Sequence, residues 1–182
     1  MRAVVGSMAS VLDFIKHKEG CPLSPARMPA HLRSRQWARH EKATNARLGT
    51  RGTLASGSVG MDGDGRALQR WRLECKQTGS TAYTLTQAAW TKLVDGALCS
   101  GEEPVLDIEF LLPRGVRRRR VVIREVLWAS FCPSVPAGEP RSRWHISVHG
   151  ENPEYVGLVP PGIAVDEIDF IPIKEQLDAQ LP

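Results

Sequence analysis

The residue types that hydrolytic chemistry needs occur together in one part of the sequence, as Asp64, Glu74 and Lys76. Apolar and polar residues alternate from Trp71 to Thr78, which predicts a short strand. Because residues two apart in a strand point to the same face, Glu74 and Lys76 are expected side by side. The strand would therefore present a carboxylate and an ammonium group on one surface.

The residues before this strand are rich in glycine. Gly60, Gly63 and Gly65 permit a tight turn that can bring Asp64 beside Glu74. A hard cation such as Mg²⁺ binds a small number of carboxylate oxygens and keeps several waters. Two carboxylates and a backbone carbonyl therefore predict a metal site.

Lys76 gives this site a group that can act on water. An ammonium group next to a metal-bound water is suited to help deprotonate or orient it. Leu73 and Cys75 point to the other face of the strand, where they are expected to pack in the core.

A helix is predicted before this region. Ser34 is a favourable N-cap residue, and Gly49 is placed to end the helix. Helical spacing puts four residues on one stripe, Trp37, Glu41, Thr44 and Leu48. A half-buried carboxylate needs a cation to offset its loss of hydration. Glu41 is therefore predicted either at the edge of the metal site or in an ion pair with an arginine or lysine.

The order of these residues has a counterpart in a known family. Asp64 followed by the segment Glu74–Lys76 resembles the Asp…Glu-x-Lys signature of the PD-(D/E)xK nuclease superfamily. The pattern from about residue 34 to about residue 110 is similar to that of the archaeal and bacteriophage Holliday-junction resolvases. Gly63 stands where the signature has its proline, so the resemblance leaves open whether Asp62 or Asp64 is the ligand.

The resemblance implies a fold, a reaction and a substrate. The fold is an α/β domain with a mixed central β-sheet flanked by helices, a restriction-endonuclease-like core, and the order of the predicted elements indicates the same architecture. The reaction is Mg²⁺-dependent endonucleolytic cleavage, with Mn²⁺ as an alternative ion. The substrate is a four-way (Holliday) or other branched junction of DNA recombination and repair. A homodimer with two sites would match the symmetry of such a junction.

The resemblance also implies a role for each residue. Asp64, Glu74 and the backbone carbonyl of Cys75 would hold the metal. Lys76 would position the attacking water, and Glu41 would assist as a further ligand or as an orienting acid.

Charge is unevenly distributed, although the formal net charge is only +4. Between residues 20 and 61 the only acidic residue is Glu41, and from residue 151 onward the only basic residue is Lys174. This asymmetry predicts a surface for a polyanion near the first helix and an acidic tail at the other end. The predicted DNA contacts are Arg35, Arg39, Lys42, Arg47, Arg51, Ser56, Gly57, Ser58 and Gln87.

A β-hairpin is predicted from residues 105–112 and 121–128. The four arginines Arg117–Arg120 are expected at its mouth, either as a solvated edge or as a second phosphate-contacting patch. Asp107 and Glu109 are an alternative metal site, but they lack a neighbouring lysine. They are expected to form an exposed strand face.

The length predicts one domain with further segments at both ends. Residues 1–33 are expected to be a partly disordered arm, residues 34–130 the nuclease core, and residues 131–182 an extension with the acidic tail. The 4 cysteines form no Cys-x-x-Cys pair, and charges interrupt every apolar run. This composition favours a reduced, cytoplasmic protein without a membrane span.

Two other functions fit the same residues. A repair or restriction-type nuclease would use the same site without selecting junctions, and would cut linear duplex DNA equally well. A nucleic-acid-binding or partner-binding module would carry the same groups without catalysis.

Overall fold

The computed structural model describes the backbone of residues 30–52, 65–67 and 70–179, and the side chains of residues 37–51 and 70–179. The helices in these ranges are α1 (Ala30–Leu48), α2 (Gln87–Leu98), α3 (Glu125–Ala129) and α4 (Glu167–Ala179). The strands are β1 (Arg51–Gly52), β2 (Gly65–Ala67), β3 (Trp71–Thr78), β4 (Ala82–Thr86), β5 (Glu103–Leu111), β6 (Arg117–Arg124), β7 (Arg143–Ser147), β8 (Glu154–Val156) and β9 (Gly162–Asp166).

Several predicted features involve residues outside these described ranges. Residues 1–29, which make up most of the predicted arm, lie outside the described ranges. The same holds for the candidate ligands Asp62 and Asp64, and for the predicted phosphate-contacting turn at residues 56–58.

Seven strands form one mixed sheet, in the order β1-β2-β3-β5-β6-β9-β8. Strands β3 and β5 are parallel, whereas the other neighbours in this sheet are antiparallel. Strands β4 and β7 form a separate antiparallel pair. The predicted α/β fold with a mixed central sheet flanked by helices is confirmed.

Helices cover both faces of this sheet. On one face, Leu48 of α1 and Phe170 of α4 pack in one core with Leu73 of β3. On the other face, Trp90 of α2 packs in a second core with Ile108 of β5. Strand β5 is therefore buried on both sides, which is typical of a strand in a parallel pair.

The strand predicted from Trp71 to Thr78 is β3, with the same limits. Leu73 and Cys75 are buried on the α1 side, as expected. Helix α1 ends just before Gly49, whose φ of 66° is the left-handed conformation that glycine adopts without strain.

The buried stripe of α1 differs from the predicted one. Thr44 and Leu48 of the predicted stripe are buried, but Trp37 is 55% exposed and His40, which was not on that stripe, is buried. The helix begins at Ala30, so Ser34 lies within it and does not cap it. The inward face therefore carries the imidazole of His40, because polar groups on the sheet below offer it partners.

Strands β5 and β6 form the predicted antiparallel hairpin. Strand β6 begins at Arg117, so the four arginines lie within the strand and not at its mouth. Arg117 and Arg118 are exposed, but Arg120 is buried between Asp166 and backbone carbonyls. The run is therefore not one continuous basic patch.

The expectation that Asp107 and Glu109 form an exposed strand face is wrong. Both side chains are 0% exposed, because α1 covers this face and β5 has a neighbouring strand on each side. Buried carboxylates need compensating partners, and these partners are described below with the site.

The C-terminal part of the chain completes the same core. Strand β9 pairs with β6, and Phe170 and Ile173 of α4 are buried beside Trp71. Strands β8 and β9 and helix α4 thus share the main sheet and its α1-side core with the segment predicted as the nuclease core. Within the described ranges, no helix combines the length and the apolar character needed to cross a membrane.

Candidate active site

Glu74 and Lys76 lie on the same face of β3, as predicted, and the Lys76 ammonium group forms an ion pair with the Glu74 carboxylate. They are opposite Leu106 and Ile108 of β5, on the face that α2 covers. Their side chains keep partial access to solvent, 30% for Glu74 and 40% for Lys76. A hydrated pair of this kind can exchange its mutual contact for a contact with a ligand.

Strand β2 pairs with β3 as far as Gly65, which is opposite Leu73. Among the described residues, no other strand pairs with β3 on that side. Asp64 itself is not described, but the residue after it is thus paired with the residue before Glu74.

A cavity of about 200 Å³ lies between α1 and β3. Its walls are formed by Trp37, His40, Glu41, Cys75, Lys76 and Gln77. Glu41 is half-buried here, in agreement with a position at the edge of a site. Glu41 and Lys76 therefore line the same cavity. Glu74 contacts this cavity wall through its ion pair with Lys76.

Tyr83 of β4 adds a phenol to the surroundings of Glu74 and Lys76. Burial raises the pKa of Tyr83, the Lys76 charge lowers it and the Glu74 charge raises it. The phenol therefore stays protonated at neutral pH and can donate a hydrogen bond to a carboxylate or phosphate oxygen. Tyr83 was not among the predicted site residues, since its position beside Glu74 and Lys76 depends on the path of the chain between β3 and α2.

A second group of polar side chains is buried on the opposite face of the sheet, under α1. Asp107 Oδ1 accepts a hydrogen bond from Arg47 at 3.1 Å, and Oδ2 accepts one from Thr44 at 3.4 Å. Arg47 also forms an ion pair with Glu167 of α4. Burial lowers the pKa of Arg47, and the Asp107 carboxylate opposes this shift. Arg47 therefore holds α1, β5 and α4 together.

Glu109 is the other carboxylate of this buried group. It accepts hydrogen bonds from Gln77 at 2.6 Å and from Arg119 at 2.9 Å. Its Oε2 lies 3.1 Å from Nδ1 of His40. Burial alone would raise the pKa of Glu109, but the contacts with His40, Gln77 and Arg119 outweigh burial and hold this pKa well below its ordinary value. Glu109 is therefore ionised at neutral pH.

His40 is enclosed by these carboxylates. Its Nδ1 is 3.1 Å from Glu109 Oε2, whereas its Nε2 is 3.9 Å from Asp107 Oδ2, beyond hydrogen-bond distance. The Cys75 side chain points to the same face of the sheet. A ring nitrogen of His40, Sγ of Cys75 and a carboxylate oxygen of Asp107 all lie within 4.8 Å of one another.

The predicted DNA contacts on α1 and β1 divide into exposed and occupied side chains. Arg39, Lys42 and Arg51 are exposed. Arg47 is not, because its guanidinium is held by Asp107 and Glu167. The side chain of Arg35 lies outside the described residues.

Gln87 has a structural role at the start of α2. Its amide nitrogen donates to Thr91 Oγ1 at 2.7 Å, and its amide oxygen accepts from the Val159 backbone at 2.8 Å. These bonds fix the segment around Val159 against α2, so Gln87 is not retained among the proposed phosphate contacts.

The buried group on β5 was missed because its acids were taken for a solvated face. One signal was present in the sequence: β5 joins a parallel neighbour, and strands of parallel pairs are covered on both faces. The burial of His40 had a weaker signal, since His40, Thr44 and Leu48 recur four residues apart, as one face of a helix requires.

The sequence matches no protein-family model and no curated protein at a significant level of similarity.

Proposed function

We propose that this protein is a metal-dependent DNA endonuclease that resolves four-way (Holliday) or other branched junctions, acting as a cytoplasmic homodimer. One observation carries the proposal. Lys76 lines a cavity together with Glu41 and is ion-paired with Glu74, its neighbour two residues earlier on β3.

The groups around Lys76 suit a hard divalent cation. Glu41 and Glu74 provide carboxylate oxygens, and the Cys75 carbonyl is the proposed backbone ligand. Asp64 is the proposed further ligand, since Gly65 enters the sheet opposite Leu73. Mg²⁺ prefers oxygen ligands and keeps several waters, for which a cavity of about 200 Å³ has room. Mn²⁺ accepts the same donor set.

In the proposed mechanism each side chain has a separate role. The cation, when bound, supplies positive charge to the scissile phosphate and acidifies water. The Lys76 ammonium group leaves Glu74, donates a hydrogen bond to the attacking water and offsets the charge that develops on the phosphate. Glu41 accepts a hydrogen bond from the same water and fixes its orientation.

The surface next to the cavity supports a branched DNA substrate. Arg39 and Lys42 are exposed on α1, and Arg51 is exposed on β1, so three cations are available for phosphates. Trp37 lines the cavity and is 55% exposed. An indole in this position can stack on an unstacked base, and such bases occur at branch points more than in a continuous duplex.

The test is cleavage of an immobile four-way junction, with a linear duplex of the same sequence alongside, in Mg²⁺ and in chelator. We expect paired nicks on the junction that require Mg²⁺, and at least a 100-fold lower rate for Lys76→Ala, since one preorganised charge in an active site contributes about 10²–10³. Lys92→Ala is the matched control, because Lys92 is exposed on α2.

Each other outcome identifies a different function. Equal cutting of junction and duplex would retain the nuclease and exclude junction selectivity. Junction binding without cleavage in Mg²⁺ or Mn²⁺ would identify a binding module. Cleavage that Lys76→Ala leaves unchanged would exclude the proposed site.

A further inference from the structure

We propose that His40, Cys75 and Asp107 form a zinc site that joins α1 to strands β3 and β5. The three residues come from separate elements, and their side chains converge in the interior, where His40 is 6%, Cys75 8% and Asp107 0% exposed. One ligand atom from each lies within 4.8 Å of the others. In a tetrahedral zinc site the ligand atoms are about 3.3–3.5 Å apart, so shifts on the order of 1 Å would close the site.

The imidazole of His40 is arranged as it is in zinc proteins. A histidine that binds zinc commonly donates its other ring N–H to a carboxylate, which fixes the ring and its tautomer. His40 Nδ1 is 3.1 Å from the ionised Glu109, while Nε2 is directed towards Asp107 Oδ2 at 3.9 Å. His40 Nε2 has no hydrogen bond within the described part of the chain, although the side chain is buried. A zinc ion at Nε2 would supply the missing partner.

Asp107 has one oxygen suited to the ion. Arg47 binds Oδ1 at 3.1 Å, whereas the bond from Thr44 to Oδ2 is long, at 3.4 Å. Oδ2 therefore remains the better donor, and the Arg47 contact keeps the carboxylate ionised and oriented. Such a contact is the usual outer support of a metal-binding carboxylate.

The donor types distinguish this site from the Mg²⁺ site. Zinc binds thiolate and imidazole strongly, whereas Mg²⁺ takes oxygen ligands. Cys75 would bind as the thiolate and release its proton to solvent. The side chain of Cys75 points under α1, opposite to Glu74 and Lys76, so the two sites take their β3 side chains from different faces, although both adjoin the same cavity.

The fourth zinc ligand is a water in the cavity. His40 and Cys75 both contribute to the wall of the cavity between α1 and β3. Three protein ligands with an accessible fourth position are the arrangement of open zinc sites.

Cobalt substitution tests the site in the full chain. Reduced, metal-free protein is titrated with Co²⁺, which gives a thiolate charge-transfer band and strong visible bands when it binds tetrahedrally to cysteine. We expect one equivalent of Co²⁺ with both features, displaced by Zn²⁺. Cys75→Ser should lose the charge-transfer band, and the matched controls Cys99→Ser and Cys132→Ser should retain it.

A second variant keeps the test valid if Cys75→Ser does not fold. In Cys21→Ser/Cys99→Ser/Cys132→Ser, Cys75 is the only remaining thiol, and the band should persist. Glu109→Gln should weaken Zn²⁺ binding by about 10–100-fold through loss of the histidine support. Glu74→Gln should leave the spectrum unchanged, which separates this site from the proposed Mg²⁺ site.

The proposal is overturned by a wild-type cobalt spectrum without a thiolate band, by a band that persists in Cys75→Ser, or by loss of the band in the triple variant.

Discussion

The Glu74 and Lys76 side chains of β3 contact each other but remain accessible enough to bind a ligand instead. Lys76 is bound to Glu74, yet both retain access to solvent, and Tyr83 beside them is likewise half-buried. A pair that is neither fully buried nor fully hydrated can separate at a small cost, because a partly exposed ion pair contributes about 1 kcal/mol or less. This is the state that a binding site needs before its ligand arrives.

The titration of Tyr83 reports on this pair. In metal-free protein, Lys76→Met should raise the pKa of Tyr83, since a nearby cation favours the phenolate. Glu74→Gln should lower the pKa of Tyr83, since a nearby anion disfavours the phenolate. The ultraviolet absorbance of the phenolate measures both shifts. The background variant is Tyr155→Phe, because the chain has 2 tyrosines.

The same pKa gives the sign of a pH effect on stability. The folded state raises the pKa of Tyr83, so its contribution is fully present below the unfolded tyrosine value of about 10. It is lost as the pH rises through the raised value.

Identical titration curves for wild type, Lys76→Met and Glu74→Gln would show that Tyr83 does not sense the pair.

The Arg47–Asp107 ion pair is expected to contribute more to the free energy of unfolding than Tyr83 does. Its partner Asp107 is fully buried, so Arg47→Met would leave an uncompensated carboxylate in the core. We expect urea unfolding to show a loss of about 3–5 kcal/mol. The matched control Arg39→Met removes an exposed guanidinium of the same helix and should change stability by less than about 0.5 kcal/mol. Equal losses for the two variants would show that the buried ion pair is not formed.

At the scale of elements, α4 joins the sheet through one aromatic side chain. The ring of Phe170 meets that of Trp71 edge-on, with centroids 5.7 Å apart, in the core below α1. Phe170→Ala should therefore lower the free energy of unfolding by about 3–5 kcal/mol. Ile168→Ala, two residues earlier on the same helix, is the control, because Ile168 is 75% exposed.

Calorimetry or urea unfolding distinguishes two arrangements of the C-terminal part. A single transition that Phe170→Ala moves as a whole is expected for one shared core. Two transitions, of which only one responds, would show that residues 143–179 fold separately from the rest.

Elements whose pattern is local were predictable from the sequence. Strand β3 was predicted at its exact limits, because its alternation and its flanking turn residues are both local signals. The end of α1 before Gly49 was predictable in the same way. The face of α1 that packs on the sheet was not predictable. The inward position of His40 depends on Glu109 and Asp107, which lie on a strand far along the chain.

The residues of the candidate site were also predictable only where a local sequence pattern places them. The Glu74–Lys76 pair follows from strand periodicity alone. Helical spacing left Glu41 either at the site or in an ion pair, and only the family resemblance favoured the site, whose cavity Glu41 lines. The acids of β5 were assigned to solvent, because alternation identifies two faces of a strand but not what covers each of them. Coverage is decided by α1, through contacts with the sheet that no local pattern contains.

Across the whole molecule, some of the acidic residues near the C-terminus form ion pairs with arginines from earlier in the chain. These pairs reduce the charge asymmetry that the sequence shows. Glu167 of the acidic segment pairs with Arg47 of the basic helix, and Asp178 accepts a hydrogen bond from Arg70 at 3.3 Å. The acidic C-terminal helix therefore lies against the core and neutralises two of its arginines. Arg39 and Lys42 remain exposed on α1.

The surface cations Arg39 and Lys42 set the final prediction, on the salt dependence of DNA binding. Each phosphate contact releases counterions and adds about 0.9 to the slope of log K against log salt concentration for duplex arms. Arg39→Gln/Lys42→Gln should therefore reduce this slope by about 1.8 for each protomer, as measured by fluorescence anisotropy with a labelled four-way junction. Lys92→Gln removes an exposed charge from α2 and should leave the slope unchanged. If both variants reduce the slope alike, DNA contacts the α2 side as much as α1, and the surface beside the cavity loses its special role.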